Sequence, residues 1–227
     1  MANQQNLGEL IAGLRRLRTG ALISLIAVIL IIVSLSIIFF SVGFFMPGLG
    51  ASPYPPMAMI AMITGTVMFS LVVIGAAAVL GLIAYILWFM AAGHLKRYNM
   101  KWGIGRLGMT LQIIALAIIA LALIIILPTA IIGGFKVFLG VFAGFVGIMF
   151  VGGILWIVGA ILFAIMLIRL PEEPKIDSGF KIAGILYLLG LIVSLIPTIN
   201  IVGLILSIVA VIMIYTSSGN SLKIIQQ

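Results

Sequence analysis

Residues 21–45 read ALISLIAVILIIVSLSIIFFSVGFF. The run holds no charged residue and is longer than the ~18 apolar residues that separate a spanning helix from a buried core helix. It is entered from the basic stretch 13–20, GLRRLRTG, and left through 46–56, MPGLGASPYPP, where four prolines and two glycines cannot continue a helix. One membrane crossing followed by a turn is the reading that this stretch imposes.

The same grammar repeats along the chain. Further apolar runs cover about 57–92, 107–127, 134–169, 180–196 and 199–215, punctuated by a basic segment after the second, by Pro128 after the third, by Pro171-Glu172-Glu173-Pro174 after the fourth and by Pro197-Thr198 after the fifth. Composition agrees: 65% of the 227 residues are hydrophobic and 7% charged, against roughly a quarter charged in a soluble domain. The expectation is an all-α, polytopic transmembrane helix bundle, 1–227 forming one integral membrane domain with six spans arranged as three hairpins. Pro128-Thr129 followed by Gly134, and Pro197-Thr198 followed by Gly203, share one spacing, and Arg16-Leu17 and Arg106-Leu107 both open odd-numbered spans, as repeated hairpins would. No cleavable signal peptide is expected, because the first 20 residues are polar to amphipathic and the apolar run after them is too long for one.

Residues 1–19 place Leu7, Leu10, Ile11, Leu14 and Leu17 on one helical face, with Glu9 and Arg16 opposite. Two readings fit that periodicity: an amphipathic segment lying in the membrane interface, or an extension of the first span into the cytoplasm.

Charge sets the orientation. The net charge of +8 comes from 12 Lys and Arg against four Asp and Glu. In the six-span scheme Arg15, Arg16, Arg18, Lys96, Arg97, Lys101, Arg106, Arg169, Lys175, Lys181 and Lys223 share one side, and Lys136 stands alone on the other. The excess of positive charge marks the cytoplasmic side, which puts both termini there. Arg15, Arg16, Arg18, Lys96, Arg97, Lys101 and Arg106 are the candidate contacts for anionic lipid headgroups. Nucleic acid is not an expected partner, since the basic residues lie in short segments between apolar spans.

Little catalytic chemistry is on offer. Cysteine is absent, which removes disulfides, thiolate nucleophiles and Cys-held metals. No Asp, Glu, Lys, Arg or His falls in the middle of a span, whereas proton-coupled transporters, pumps and voltage sensors place ionisable groups at membrane depth. His94, the one histidine, reads as an interfacial residue at a helix C-terminus without co-ligands. Met57, Met59, Met62 and Met68 read as packing residues rather than a Cu(I) site. Glu172, Glu173 and Asp177 lack the spacing and glycine of a calcium loop and read as a solvated turn. No catalytic, metal or cofactor site is expected.

Small residues carry the packing expectation. Gly140 and Gly144 form a GxxxG pair that Gly147 continues, and Ala77 with Gly81 gives a small-xxx-small pair, which lets helix backbones approach closely. The runs 57–92 and 134–169 also exceed what a ~30 Å hydrocarbon layer accommodates at ~1.5 Å per residue. Their surplus either lies in the outer interface or is covered by protein.

The pattern 13–20, GLRRLRTG, leading into a long apolar span, together with Gly179-Phe180-Lys181-Ile182-Ala183-Gly184 opening a final proline-turn hairpin, resembles an archaeal family of functionally uncharacterised multi-pass membrane proteins. The resemblance implies a plasma-membrane location and carries no catalytic residues with it. The functional expectation is a non-enzymatic accessory or scaffolding subunit of a membrane assembly, partnered by lipids and by copies of itself or other membrane subunits. The alternative is a channel or uncoupled transporter for a small or apolar solute, with Thr64, Thr66 and Ser70 as first candidates for its lining. A lipid-modifying enzyme working through the His94 region stands third.

Overall fold

A computed structural model describes the backbone of residues 2–45 and 56–227, and the side chains within these ranges other than 2–6, 42–45, 56–60, 63, 123, 125–143 and 145. Among the described residues all regular structure is helical: α1 (Ala2–Phe45), α2 (Pro56–Tyr98), α3 (Gly103–Arg169), α4 (Gly179–Ser194) and α5 (Asn200–Gln226). Short 3-10 turns, Met100–Trp102, Leu170–Glu172 and Pro197–Ile199, link α2 to α5. Five stretches are long and apolar enough to cross a membrane: Leu7–Ser41, Thr64–Tyr98, Met100–Ala122, Val146–Glu172 and Pro197–Gln226. The apolar helix Gly179–Ser194 is shorter. The chain is a membrane protein built as a helical bundle.

Two boundaries differ from the sequence reading, and a third observation bears on residues 1–19. Pro128 was expected to stop the third span, yet α3 is helical from Gly103 to Arg169. A straight helix of 67 residues would be ~100 Å long, and this one doubles back. A Cβ at Gly105 would collide with Met166, one at Gly108 would sit 2.5 Å from the Gly159 carbonyl oxygen, and one at Gly152 would sit 3.0 Å from Ile119 Cγ1. The third and fourth expected spans are therefore two antiparallel legs of α3, with the reversal between Ile119 and Gly152. Proline removes one backbone donor and kinks a helix without always ending it.

The last span was expected to end at 215, but α5 continues to Gln226. In its polar end the hydroxyls of Ser218 and Ser221, both buried, are satisfied by donating back to the carbonyls of Ile214 and Ser217, at 2.7 and 2.8 Å. Lastly, α1 runs unbroken through the 19/21 boundary. Leu10, Leu14 and Leu17, on the face that would meet lipid in an interfacial helix, are fully buried in protein.

The chain divides into two compact units, one formed by Met1–Thr19 and Leu87–Gln227, the other by Gly20–Ile86. In the larger unit, helices cross at glycines. Gly108 meets Gly159 between the legs of α3, Gly184 of α4 lies against the Ala164 carbonyl of α3, and Gly190 of α4 meets Gly203 of α5 in the hairpin around Pro197. Gly13 of α1 lies against Leu95 and the Ala91 carbonyl of α2. Without a Cβ on at least one side, backbones come close enough for dispersion contacts to hold helices that gain nothing from burying apolar surface in lipid. Phe163 sits at the centre, stacked on Trp88 at 5.5 Å and edge-on to Tyr187 at 5.9 Å. The Trp88 indole N–H donates to the Leu17 carbonyl at 3.3 Å.

Among the described residues of the smaller unit the buried side chains are small: Ala21, Ala27, Ser34, Ser70, Ala77 and Ala84. Seven-residue steps relate Ala27 to Ser34, and Ser70 to Ala77 to Ala84, the 3.5-residue spacing that keeps positions on one face of a helix. Phe39, Phe40, Met68, Phe69 and Val72 point outward.

Candidate functional site

Polar chemistry concentrates where the start of α1, the end of α2 and the start of α3 come together in the larger unit. On α2, Phe89, Met90, Gly93, His94 and Arg97 recur at three- and four-residue steps and so share one face. With Arg16 of α1 and Arg106 of α3 they line an open cleft of about 170 Å³. Glu9 lies two helical turns before Arg16, and its Oε2 is 2.5 Å from His94 Nδ1. Its Oε1 accepts from Arg97 Nη1 at 3.5 Å. The hydrogen bond from His94, helped by the charge of Arg97, holds the Glu9 carboxyl below its ordinary value of 4.5.

Each arginine is placed differently. The Arg106 guanidinium lies over the Phe89 ring, 5.5 Å from its centroid, a cation–π contact that leaves its N–H groups free to turn outward. Arg97 sits in the last turn of α2, where the helix dipole favours a cation. Arg16 has no carboxylate within ion-pair distance among the described residues. A Cβ at Gly93 would lie 4.0 Å from Arg106 Nε, so any longer side chain there would occupy the cleft. Three guanidinium groups thus face one space against a single carboxylate, and that carboxylate is engaged with His94.

Of the seven basic residues expected to meet anionic headgroups, Arg16, Arg97 and Arg106 are brought together. The other four are elsewhere. Arg18 lies over Tyr215, 4.9 Å from the ring centroid, and its Nη2 donates to the phenol oxygen at 3.3 Å. The stem of Lys96 packs against Gly103. The Lys101 amide donates to Asn99 Oδ1 at 3.0 Å in the 3-10 turn. Arg15 is exposed.

The packing residues also separate. Ala77 is buried, while a Cβ at Gly81, Gly144 or Gly147 would meet nothing within 4 Å, and the Gly140 side lies outside the described residues. Thr64 is exposed, Thr66 donates to the Met62 carbonyl at 2.9 Å, and Ser70 is buried. Met57 and Met59 fall outside the described side chains, while Met62 and Met68 are exposed. Among the described residues no three His, Cys, Asp or Glu side chains are grouped as metal ligands would be.

The acidic turn is more ordered than its composition suggests. Asp177 Oδ1 accepts from the Gly179 amide at 2.6 Å at the start of α4, and Oδ2 accepts from Asn220 Nδ2 at 2.6 Å. The Asp177 amide donates to Ser221 Oγ at 2.9 Å. Burial, with the negative charge of Glu173 second, raises the Tyr98 phenol above its ordinary value.

Two features had no counterpart in the sequence reading. The Glu9–His94 pair joins residues 85 positions apart, and only the pairing of Gly13 with Leu95 could have signalled it. Gln112, fully buried beside the Gly108–Gly159 crossing, has no hydrogen-bond partner for either amide atom. A neutral amide leaves no mark in a search for charged residues.

Comparison with known proteins gives one match. The family described as "Protein of unknown function (DUF973)" matches residues 10–227. No curated protein and no solved structure matches the chain.

Proposed function

We propose that this chain, which belongs to the DUF973 family of proteins of unknown function, is a non-enzymatic accessory or scaffolding subunit of an assembly in the plasma membrane. In this reading both termini are cytoplasmic, and the partners are further copies of the chain or other membrane subunits, with lipids around them. The observation that carries it is uncovered apolar helix. α1 and α2 have 44 and 43 residues, ~65 Å each, against a hydrocarbon thickness near 30 Å. With Arg18 and Arg97 at the cytoplasmic interface, about 20 residues of each helix cross the layer. Phe39 and Phe40 of α1, and Met68, Phe69 and Val72 of α2, then lie at or past the far edge, all exposed. Leaving such a side chain in water instead of burying it costs about 1.5–3 kcal/mol, and cover by neighbouring protein removes that cost.

The test is purification of the intact protein in mild detergent, followed by native mass spectrometry and cross-linking. A discrete complex of fixed stoichiometry, cross-linked through the 39–40 and 68–72 segments, is expected. A monodisperse, partner-free monomer would overturn the reading, and solute flux from that monomer in liposomes would establish the channel in its place.

A further inference from the structure

We propose that the cleft lined by Arg16, His94, Arg97 and Arg106 is a binding site for a phosphate-bearing anion, either a lipid headgroup or free phosphate. The inference does not depend on the assembly reading, because every residue in it belongs to one compact unit of one chain.

A band of basic residues is the ordinary mark of a cytoplasmic membrane face, and by itself it implies only diffuse attraction to anionic lipid. This cleft differs in three respects. Its arginines come from three separate helices, α1, α2 and α3, and line one space of about 170 Å³, where water occupies about 30 Å³ per molecule. They are arginines, whose planar fork of donors matches phosphate oxygens two at a time, whereas a lysine offers a point charge.

The third respect is that the groups are positioned without being neutralised. Arg106 is held by the face of Phe89, which consumes none of its donors. Arg97 directs one N–H towards Glu9 at 3.5 Å, a long contact that leaves the rest of its fork available. Glu9 is held by His94 at 2.5 Å and, among the described residues, is the one carboxylate ion-paired to a residue of the cleft. Like charges gathered around a space with so little internal compensation are stabilised by an anion from outside the chain.

The walls add shape. Gly93 contributes no side chain, so the centre stays open, and Phe89 and Met90 give the cleft an apolar side. A phosphate ester with an apolar continuation fits that combination of charged rim and apolar wall.

The experiment titrates the full-length protein in mild detergent with dioctanoylphosphatidylglycerol, with inorganic phosphate and with dioctanoylphosphatidylcholine, reading adducts by native mass spectrometry and Kd by thermophoresis. One saturable site is expected, with phosphatidylglycerol bound at least tenfold more tightly than phosphatidylcholine. The double substitution Arg97→Gln/Arg106→Gln should weaken it at least tenfold, and Lys181→Gln/Lys223→Gln, on exposed lysines away from the cleft, should leave Kd within twofold. Binding of the lipid alone identifies a headgroup. Binding of inorganic phosphate as tightly as the lipid, with the same loss in the arginine variant, identifies a soluble phosphate compound.

Equal weakening by both double substitutions would reduce the site to diffuse electrostatics and overturn the proposal, as would the absence of saturable binding by either anion. Gly93→Leu guards against an arginine variant that fails to fold, since it fills the cleft while keeping every charge. Wild-type affinity in a folded Gly93→Leu protein would equally overturn it.

Discussion

The unit formed by Met1–Thr19 and Leu87–Gln227 buries large side chains, among them Trp102, Phe163, Phe180, Met109, Met166, Ile214 and six leucines, at essentially zero exposure. Among the described residues, Gly20–Ile86 buries alanine, serine and glycine, and leaves Phe39, Phe40, Met68, Phe69 and Val72 exposed. Both are apolar, so hydropathy alone does not tell them apart. What distinguishes them is which size class faces the neighbour. The first unit has an interior of its own, with aromatic rings interlocked between glycine crossings. In the second, the buried positions among the described residues are small, and large side chains such as Phe39, Phe69 and Val72 are left for something outside the unit. A region of the first kind supplies stability, and one of the second kind supplies contact area.

The sharpest way to break this comparison is accessibility. The chain contains no cysteine, so single cysteines report cleanly. Replacing Asn99 or Ser178, beside the basic segments, should give residues that an impermeant thiol reagent cannot reach in intact cells, while Asn200→Cys, at the start of α5, should label fully. Labelling at position 99 from outside would invert the orientation, and with it the side on which the arginine cleft sits.

Next in size is the centre of the first unit. Phe163→Ala removes the ring that Trp88 stacks on and Tyr187 abuts, and large-to-small changes of this kind cost about 3–5 kcal/mol. Phe39→Ala, in the second unit, should leave the melting temperature of the isolated protein within a degree or two, because Phe39 is 74% exposed and touches Phe40 edge-on. If both substitutions lower the melting temperature alike, the distinction between an internal core and an outward contact surface fails.

Glycines give the third comparison, and they also show how much of the structure was legible. Gly159→Leu drives a side chain into the Gly108 carbonyl and Gln112, and overpacking of this kind costs about 1–3 kcal/mol or more. Gly144→Leu meets open space, so the isolated protein should lose less than about 0.5 kcal/mol. A change in assembly, without a change in melting temperature, would place Gly144 against another subunit.

Apolar runs and proline turns announce each helix and its reversals, because helix formation in lipid is decided by local backbone satisfaction. The short turn at Pro197 and the antiparallel legs on either side of Pro128 were therefore readable. Which glycine meets which was not. Gly140 and Gly144 satisfy a motif within one helix, but the observed crossings pair Gly108 with Gly159 and Gly190 with Gly203, one glycine from each partner. Spacing along a single helix carries no record of the helix opposite. The same limit hid Glu9 from His94, and made seven basic residues look equivalent when the fold gathers only three of them.

The smallest effect expected concerns that pair. Glu9 sits at the surface of the first unit, 27% exposed, with His94 at 2.5 Å and Arg97 at 3.5 Å as its charged or titratable partners. Its carboxyl is held below the ordinary 4.5, chiefly by the hydrogen bond from His94. A carboxyl lowered in the folded state contributes stability that is fully present above the unfolded value and is lost as the pH falls through the folded one. The contribution should therefore be constant at neutral pH and disappear progressively below 4.5. Partly exposed pairs are worth roughly 0–1 kcal/mol, so the expected change is a shallow slope in melting temperature. The informative quantity is the difference between wild type and Glu9→Gln. That difference should be largest near neutrality and close to zero at pH 3. A difference that does not depend on pH would mean that Glu9 acts through packing of α1 on α2, and that the cleft keeps its arginines in place without the carboxylate.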